Sequence, residues 1–472
     1  MKVNFIKRAL CAFLALISVL TLTACGKKTK DEPFVLEPME AEEVAKVTFD
    51  FLGGADVMPL SGYYGPYVLE YSVNGDSLPD YVSEDIMEKI SGCGINLLHY
   101  SGPRYQSSRE DLFELLELGE KYNVGIFAND DDVITMTYRG ENDVENDKFR
   151  AQYLGRYSDY PALCGFYMMD EPYADYYMPE TEEYRNIKSL SIMSNTFRRL
   201  GLIPSINLLP PVTREDYDPW NRYVQDYVEL CSPQYLSYDC YPFISYGNKD
   251  VFLYSLDRMS FYAKENNIPL WTYIQVGDES EKKGVYDPEE GELFWNINTC
   301  LAFGSKGLEY YMVMQPHYYA VSRNGGEDYD YQQFALIGSA GNRTQWWYMA
   351  KKINTHIGAI DTVLMNSTHK GIIASGETVK KQTAGLDAVM ESDGWRELKS
   401  VEGNVIVGCF NYQGKTALYV VNFEERYAQN IVLNLQDTYN ISVTQNAQLK
   451  TVKTNRLTLD LKAGEGVLVV FD

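Results

Sequence analysis

The chain has 472 residues, of which 45% are hydrophobic and 23% charged, and it carries a formal net charge of −24. That length and apolar content predict a large core with an accessory domain and exclude an intrinsically disordered chain, while the acidic surplus argues against nucleic acid as a partner. Aromatic residues make up 14% and include 39 tyrosines, a side chain whose flat apolar face and hydroxyl suit ligands that both stack and hydrogen-bond, sugars among them.

The first residues read as a targeting segment. Lys2, Lys7 and Arg8 precede an apolar run, residues 9–22, that is shorter than a bilayer-spanning helix. Leu22-Thr23-Ala24-Cys25 resembles the cleavage box of bacterial lipoproteins, which implies removal of residues 1–24 as a signal peptide and lipidation of Cys25. The protein is then expected in the cell envelope, lipid-anchored to a bacterial membrane and facing outside the cytoplasm. Residues 25–43, rich in Lys, Glu and Pro, are expected as a flexible tether. Among the eight cysteines, Cys93, Cys164 and Cys300 sit in apolar patterns and are expected as buried thiols. Cys231 and Cys240 are the one nearby pair suited to a disulfide.

From about residue 49, short apolar runs alternate with helical patterns, the signature of repeated βα units. Residues 49–53 serve as the first strand, and the Gly/Pro/Tyr-rich loop 54–71 is a candidate ligand wall. A helix over 81–92 leads to strand two at 95–100, which carries His99. A helix over 109–122 leads to strand three at 124–128, with Asn129 and Asp130 at its end. After a helix over 146–156, strand four runs from 163 to 169 and delivers Asp170 and Glu171 to its carboxyl end, where Pro172 forbids further pairing. Strand five, 203–208, bears Asn207. Strand six, 235–242, again finishes with a carboxylate and a proline, Asp239 and Pro242. Strands seven and eight are expected at 268–275 and 307–315, with helices over 178–200, 218–230, 291–303 and 345–360 and another closing at 260–266.

Eight strands alternating mostly with helices predict an α/β fold, a (β/α)8 TIM barrel over residues 44–365, where a doubly wound sheet would stop sooner. Over 366–472 the pattern changes to alternating Val, Ile and Thr with turn signals and no helix. A hairpin at 405–412 and 416–422 and later strands at 430–435, 447–452, 457–461 and 466–471 predict a small C-terminal antiparallel β-sandwich domain.

Carboxylates at the carboxyl ends of barrel strands are placed for acid/base or nucleophilic work, and the alternative for each is a loop carboxylate that caps the next helix. Asp159-Tyr160-Pro161-Ala162-Leu163 through Asp170-Glu171-Pro172, with Tyr238-Asp239-Cys240-Tyr241-Pro242 two strands on, resembles the clan A glycoside hydrolases and related bacterial lipoproteins over the barrel, about two thirds of the chain. The resemblance implies that Glu171 is the general acid/base and that Asp170 stands where an asparagine usually binds the sugar 2-hydroxyl. It also implies a glutamate nucleophile at the end of strand seven, where this chain has Gln275.

The second carboxylate is therefore Glu279 or Asp278 from the following loop, or Asp239 on strand six, unless the site is not a standard retaining one. Spacing favours Asp239, on the same strand face as Ser237 and Tyr241. Glu309, early in strand eight, is expected as a structural ion-pair partner. Trp271, Tyr273, Tyr311 and His317 are candidate walls of a sugar site, with core packing as their alternative, and His99, Asn129 and Asn207 are candidate hydroxyl binders. Four histidines without ligand spacing and no Gly-rich phosphate loop indicate neither metal nor nucleotide cofactor. Two functions from different classes follow: a glycoside hydrolase with a carbohydrate substrate, or a glycan-binding lipoprotein on a barrel that has lost its nucleophile.

Overall fold

The computed structural model describes residues 34–66, 81–100, 109–130, 155–172, 184–199, 202–211, 216–243, 249–277, 288–315 and 335–472, with residues 132, 148 and 213. Eight parallel strands close a barrel: β1 (Leu60–Gly62), β2 (Leu97–His99), β3 (Gly125–Ala128), β4 (Leu163–Asp170), β5 (Pro204–Leu208), β6 (Leu236–Tyr238), β7 (Leu270–Gln275) and β8 (Gly307–Tyr311), with β8 returning to β1. Both faces of these strands are covered, which is why they read as nearly continuous apolar runs. Around them lie α1 (Glu84–Gly92), α2 (Arg109–Tyr122), α3 (Tyr184–Arg199), α4 (Tyr217–Cys231), α5 (Lys249–Glu265), α6 (Glu290–Ala302), α7 (Gln345–Ile357) and the short α8 (Asp361–Met365). Their amphipathic spacing sets which face is buried: in α1, Ile86, Met87 and Ile90 point inward while Glu84 and Asp85 occupy the exposed first turn.

The first strand is not where periodicity predicts it. Residues 49–53 alternate like a strand, but Asp50–Leu52 form a 3-10 turn. Val47, Phe49 and Leu52 join the side chains that fill the barrel interior, and the Phe49 ring meets Phe127 edge-on at 5.8 Å and Trp271 at 5.9 Å. The true β1, Leu-Ser-Gly, carries little strand signal of its own and is held by pairing with β2 and β8. Gly62 is required there, because a Cβ would sit 1.9 Å from the Val313 side chain.

The C-terminal domain is one seven-stranded antiparallel sheet folded into a sandwich: β9 (Ser367–Ser375), β10 (Leu398–Glu402), β11 (Val405–Tyr412), β12 (Lys415–Asn422), β13 (Gln429–Gln445), β14 (Gln448–Leu461) and β15 (Gly466–Phe471). β13 makes the second layer. Its first half pairs with β10 and its second half with β15, and its ladder with β14 is interrupted between Asn434 and Tyr439. A short helix, α9 (Glu377–Gln382), interrupts the domain where the sequence pattern predicts none; with six residues it is too short for periodicity to reveal.

Alternation along β12 explains the layering. Ala417, Tyr419 and Val421 belong to the core shared with the barrel, and Leu418 and Val420 to the sandwich interior. Residues 39 and 40, expected to be tether, contact this domain: the Asn411 amide donates to the Glu40 carbonyl at 2.8 Å, and a Cβ on Gly414 would lie 2.9 Å from the Met39 carbonyl. Cys231 and Cys240 are buried thiols rather than a disulfide, because one precedes β6 and the other follows it, at opposite ends of the strand. Among the described residues no helix is long and apolar enough to cross a membrane.

Candidate active site

The carboxyl end of β4 is shaped by irregular pairing. Against β5, Tyr167 pairs with Ser205, Met169 with Ile206 and Asp170 with Asn207, so Met168 is an extra residue in the ladder. A bulge shifts the alternation by one. Tyr167 and Asp170 both face the barrel interior as a result, where strict alternation would have turned Met169 inward. Asp170 there accepts hydrogen bonds from the Tyr63 hydroxyl at 2.8 Å and the Asn207 amide at 3.1 Å. Glu171 follows with a left-handed backbone, φ 42°, its N–H donated to the Asn207 carbonyl at 2.9 Å and its side chain exposed at the rim.

Asn207 is the centre of the site. Its amide nitrogen donates to Asp170 and also to Asp239 Oδ1 at 3.0 Å, and its amide oxygen faces the Ser237 hydroxyl at 3.2 Å. Asp239 is buried, and its carboxyl is pushed well above the ordinary aspartate value by desolvation first and then by the negative charges of Glu171 and Asp170, against the favourable Asn207 bond. Tyr241 stacks on Tyr311 at 5.3 Å, and Tyr63 and Tyr64 approach the same Tyr311 ring at 5.7 and 6.1 Å. Three carboxylates thus lie beside an aromatic wall, at the face where barrel enzymes keep their chemistry.

Beneath this layer a polar chain crosses the barrel interior. The Ser237 hydroxyl also meets Glu309 Oε1 in a short hydrogen bond, and Glu309 Oε2 is contacted at 3.2 Å by His99 Nε2, too obliquely to count as a full hydrogen bond. His99 Nδ1 lies 3.3 Å from the Tyr273 hydroxyl. Desolvation pushes the Glu309 carboxyl up to about 8 and the His99 imidazole down to about 3, so both are neutral near pH 7. The pair is a neutral contact rather than the ion pair expected of Glu309.

The structure brings together Glu171, Asp239, Asp170, Asn207 and Tyr241. His99 and Tyr273 sit one layer lower, supporting that group rather than lining it. Trp271 is core: fully buried, it stacks on Tyr235 at 4.2 Å at the amino end of β7. Gln275 closes β7, buried, with its Oε1 accepting the Phe243 N–H at 2.8 Å. Asn129 is half-buried at the end of β3, next to Asp130, which takes the Tyr157 hydroxyl at 2.6 Å. Glu279, Asp278, His317 and Cys25 lie outside the described residues.

Tyr63 and Tyr167 were not singled out by the sequence. Tyr63 is the residue after β1, a strand-end position hidden by the misplaced first strand, and Tyr167 lies inside an apolar run. Among the described residues, no group of three or more His, Cys, Asp or Glu is arranged to hold a metal ion.

No protein-family model matches the sequence, and no curated protein matches it. Among solved structures, the β-galactosidase of Bacillus circulans sp. alkalophilus is similar with a TM-score of 0.55 and 8% identity, over 92% of this chain and 100% of that one. A family 51 α-L-arabinofuranosidase from Bifidobacterium longum gives 0.45 and 10%, over 92% and 98%. The β-galactosidase of the psychrophilic Marinomonas ef1 gives 0.45 and 12%, over 67% of this chain and 63% of that one. At 8% identity the likeness to the first is one of fold alone.

Proposed function

We propose that this protein is a glycoside hydrolase that cleaves glycosidic bonds of a carbohydrate with Glu171 and Asp239 as its opposing carboxyls. The observation that carries this reading is the setting of Asp239, whose pKa is raised first by burial and then by the charges of Glu171 and Asp170. A carboxyl whose pKa is raised can give its proton to the leaving oxygen, and a second carboxyl at the open rim can attack the anomeric carbon or activate water. The roles of acid and base are then shared differently from the sequence resemblance, with Asp239 as first proton donor and Glu171 as its partner. Asp170, Tyr241 and Tyr311 would contact the sugar.

A panel of 4-nitrophenyl glycosides and natural oligosaccharides tests this with the wild type, Glu171→Gln and Asp239→Asn. Each substitution is expected to cost at least about 10²-fold in kcat on natural glycans. Wild-type rates in both variants would sink the proposal.

Gln275 favours a second reading. Its engagement with the Phe243 backbone, where the resemblance implies a nucleophile, supports a protein that binds glycans without cleaving them; wild-type binding without turnover across the panel would establish it. The lipid anchor is a further part of the proposal, supported by the Leu22-Thr23-Ala24-Cys25 box. Cys25→Ser should move the protein out of the detergent phase, and a variant still fully membrane-bound would overturn the anchor.

A further inference from the structure

We infer that Glu309 is a positioning residue of the carboxylate site, acting through Ser237 to fix the amide of Asn207, whose nitrogen holds Asp170 and Asp239. The inference rests on the hydrolase reading for its kinetic consequence and on hydrogen-bond counting for its structure. The Asn207 amide has two faces. With its nitrogen committed to Asp170 Oδ1 at 3.1 Å and Asp239 Oδ1 at 3.0 Å, its oxygen must look toward Ser237 at 3.2 Å. Ser237 has a single hydroxyl proton but two oxygens beside it, Asn207 Oδ1 and Glu309 Oε1. If that proton serves Asn207, the short contact to Glu309 is a hydrogen bond only when Glu309 Oε1 carries a proton and donates it to Ser237.

His99 Nε2 lies 3.2 Å from Glu309 Oε2 and 3.5 Å from the Ser205 hydroxyl, and His99 Nδ1 lies 3.3 Å from the Tyr273 hydroxyl, so the imidazole borders the chain without fixing its direction. The hydrogen-bonded links that carry the inference are those from Glu309 through Ser237 to Asn207. Ionisation of Glu309 reverses its last link: Ser237 turns its proton to the carboxylate, Asn207 Oδ1 loses its donor, and the amide is held only by the two bonds from its nitrogen. The titratable groups facing Glu309 are His99 from β2, Asp170 from β4, Tyr235 ahead of β6 and Tyr273 from β7. Burial pushes its carboxyl up to about 8, with the charge of Asp170 acting the same way and a hydrogen bond donated by Ser237 acting against it.

The test uses the full chain, on whichever 4-nitrophenyl glycoside it hydrolyses best. Glu309→Ala and Ser237→Ala should lower kcat about 10²-fold with KM little changed, the cost of misplacing a catalytic pair. Glu309→Gln, whose amide donates to Ser237 as the protonated acid does, should restore most of that loss. In the wild type kcat should fall on the alkaline side with the loss of two protons, from Asp239 and Glu309, and in Glu309→Gln with the loss of one. An unchanged alkaline limb in Glu309→Gln overturns the inference. Infrared spectra separate the two failures, because they need no turnover. Wild type minus Glu309→Gln should show a protonated carboxyl at pH 7 that vanishes above about pH 8. If no glycoside is cleaved but the band is present, the hydrolase reading fails and the relay stands; if the band is absent, the relay fails.

Discussion

Glu171 holds a left-handed backbone conformation, φ 42°, that costs a residue with a Cβ on the order of 1–2 kcal/mol. The side chain is exposed, so burial does not repay that cost, and the strain points to placement of the carboxylate itself. Glu171→Gly is accordingly expected to raise thermal stability by about 1 kcal/mol, less the entropy of the added glycine, while activity is lost. A fall in the melting temperature would contradict it.

Asp239 carries the opposite burden, a buried carboxyl whose folded pKa lies above its unfolded value. Its contribution to stability is fully present below the unfolded pKa near 4 and is lost as pH rises through the raised folded value. Asp239→Asn should therefore flatten the decline of stability above about pH 4 and remove the alkaline limb that this acid gives to kcat. Urea unfolding at several pH values would detect the first effect, and a slope identical to that of the wild type would count against the assignment.

At the scale of elements, what could be read in advance depended on how far each strand's own residues determine it. β4, β5 and β6 announce themselves through long apolar runs that end in polar strand termini, which is why Asp170, Glu171, Asn207 and Asp239 stood out. β1 has three residues and a weak pattern, and its place was taken by the apolar plug around Phe49; Tyr63 was legible only as part of the loop 54–71 expected to wall a ligand. The inward turn of Asp170 was also illegible, since it depends on an extra residue in the β4 ladder that only pairing with β5 reveals. Trp271 looked like a sugar platform because its position on β7 gives its face but not its depth. That depth rests on a glycine. A Cβ at Gly307 would lie 2.6 Å from the Trp271 ring, so Gly307→Ala should overpack the lower barrel and cost about 1–3 kcal/mol. Equal denaturation midpoints for variant and wild type would show that the tryptophan has room to move.

For the whole molecule, α6 is the element that joins the two layers. Its residues from Glu292 to Ala302 are all buried, as expected of a helix covered on both sides: β7 lies on one side and the sheet of β11, β12 and β15 on the other. The sheet approaches so closely that a Cβ on Gly408 would fall 2.4 Å from the Ala302 carbonyl. Asn298, also buried, accepts the Tyr419 hydroxyl at 2.6 Å and donates to the Gly464 carbonyl at 2.8 Å. Arg426 reaches back to the buried carboxylate of Glu292 at 2.9 Å.

Removing the sandwich would leave that asparagine without its partners, a cost of about 1–3 kcal/mol, and that carboxylate without the arginine. It would also expose the apolar face of α6, including Trp295, which packs edge-on against Phe423 at 5.3 Å. The barrel is thus not expected to be an independent unit despite its closed sheet. A chain ending at Met365 should be insoluble or bind hydrophobic dyes when the full chain does not. Should it instead remain soluble and melt cooperatively at the temperature of the intact protein, the sandwich would be an appendage and α6 would need another reason to be apolar all round.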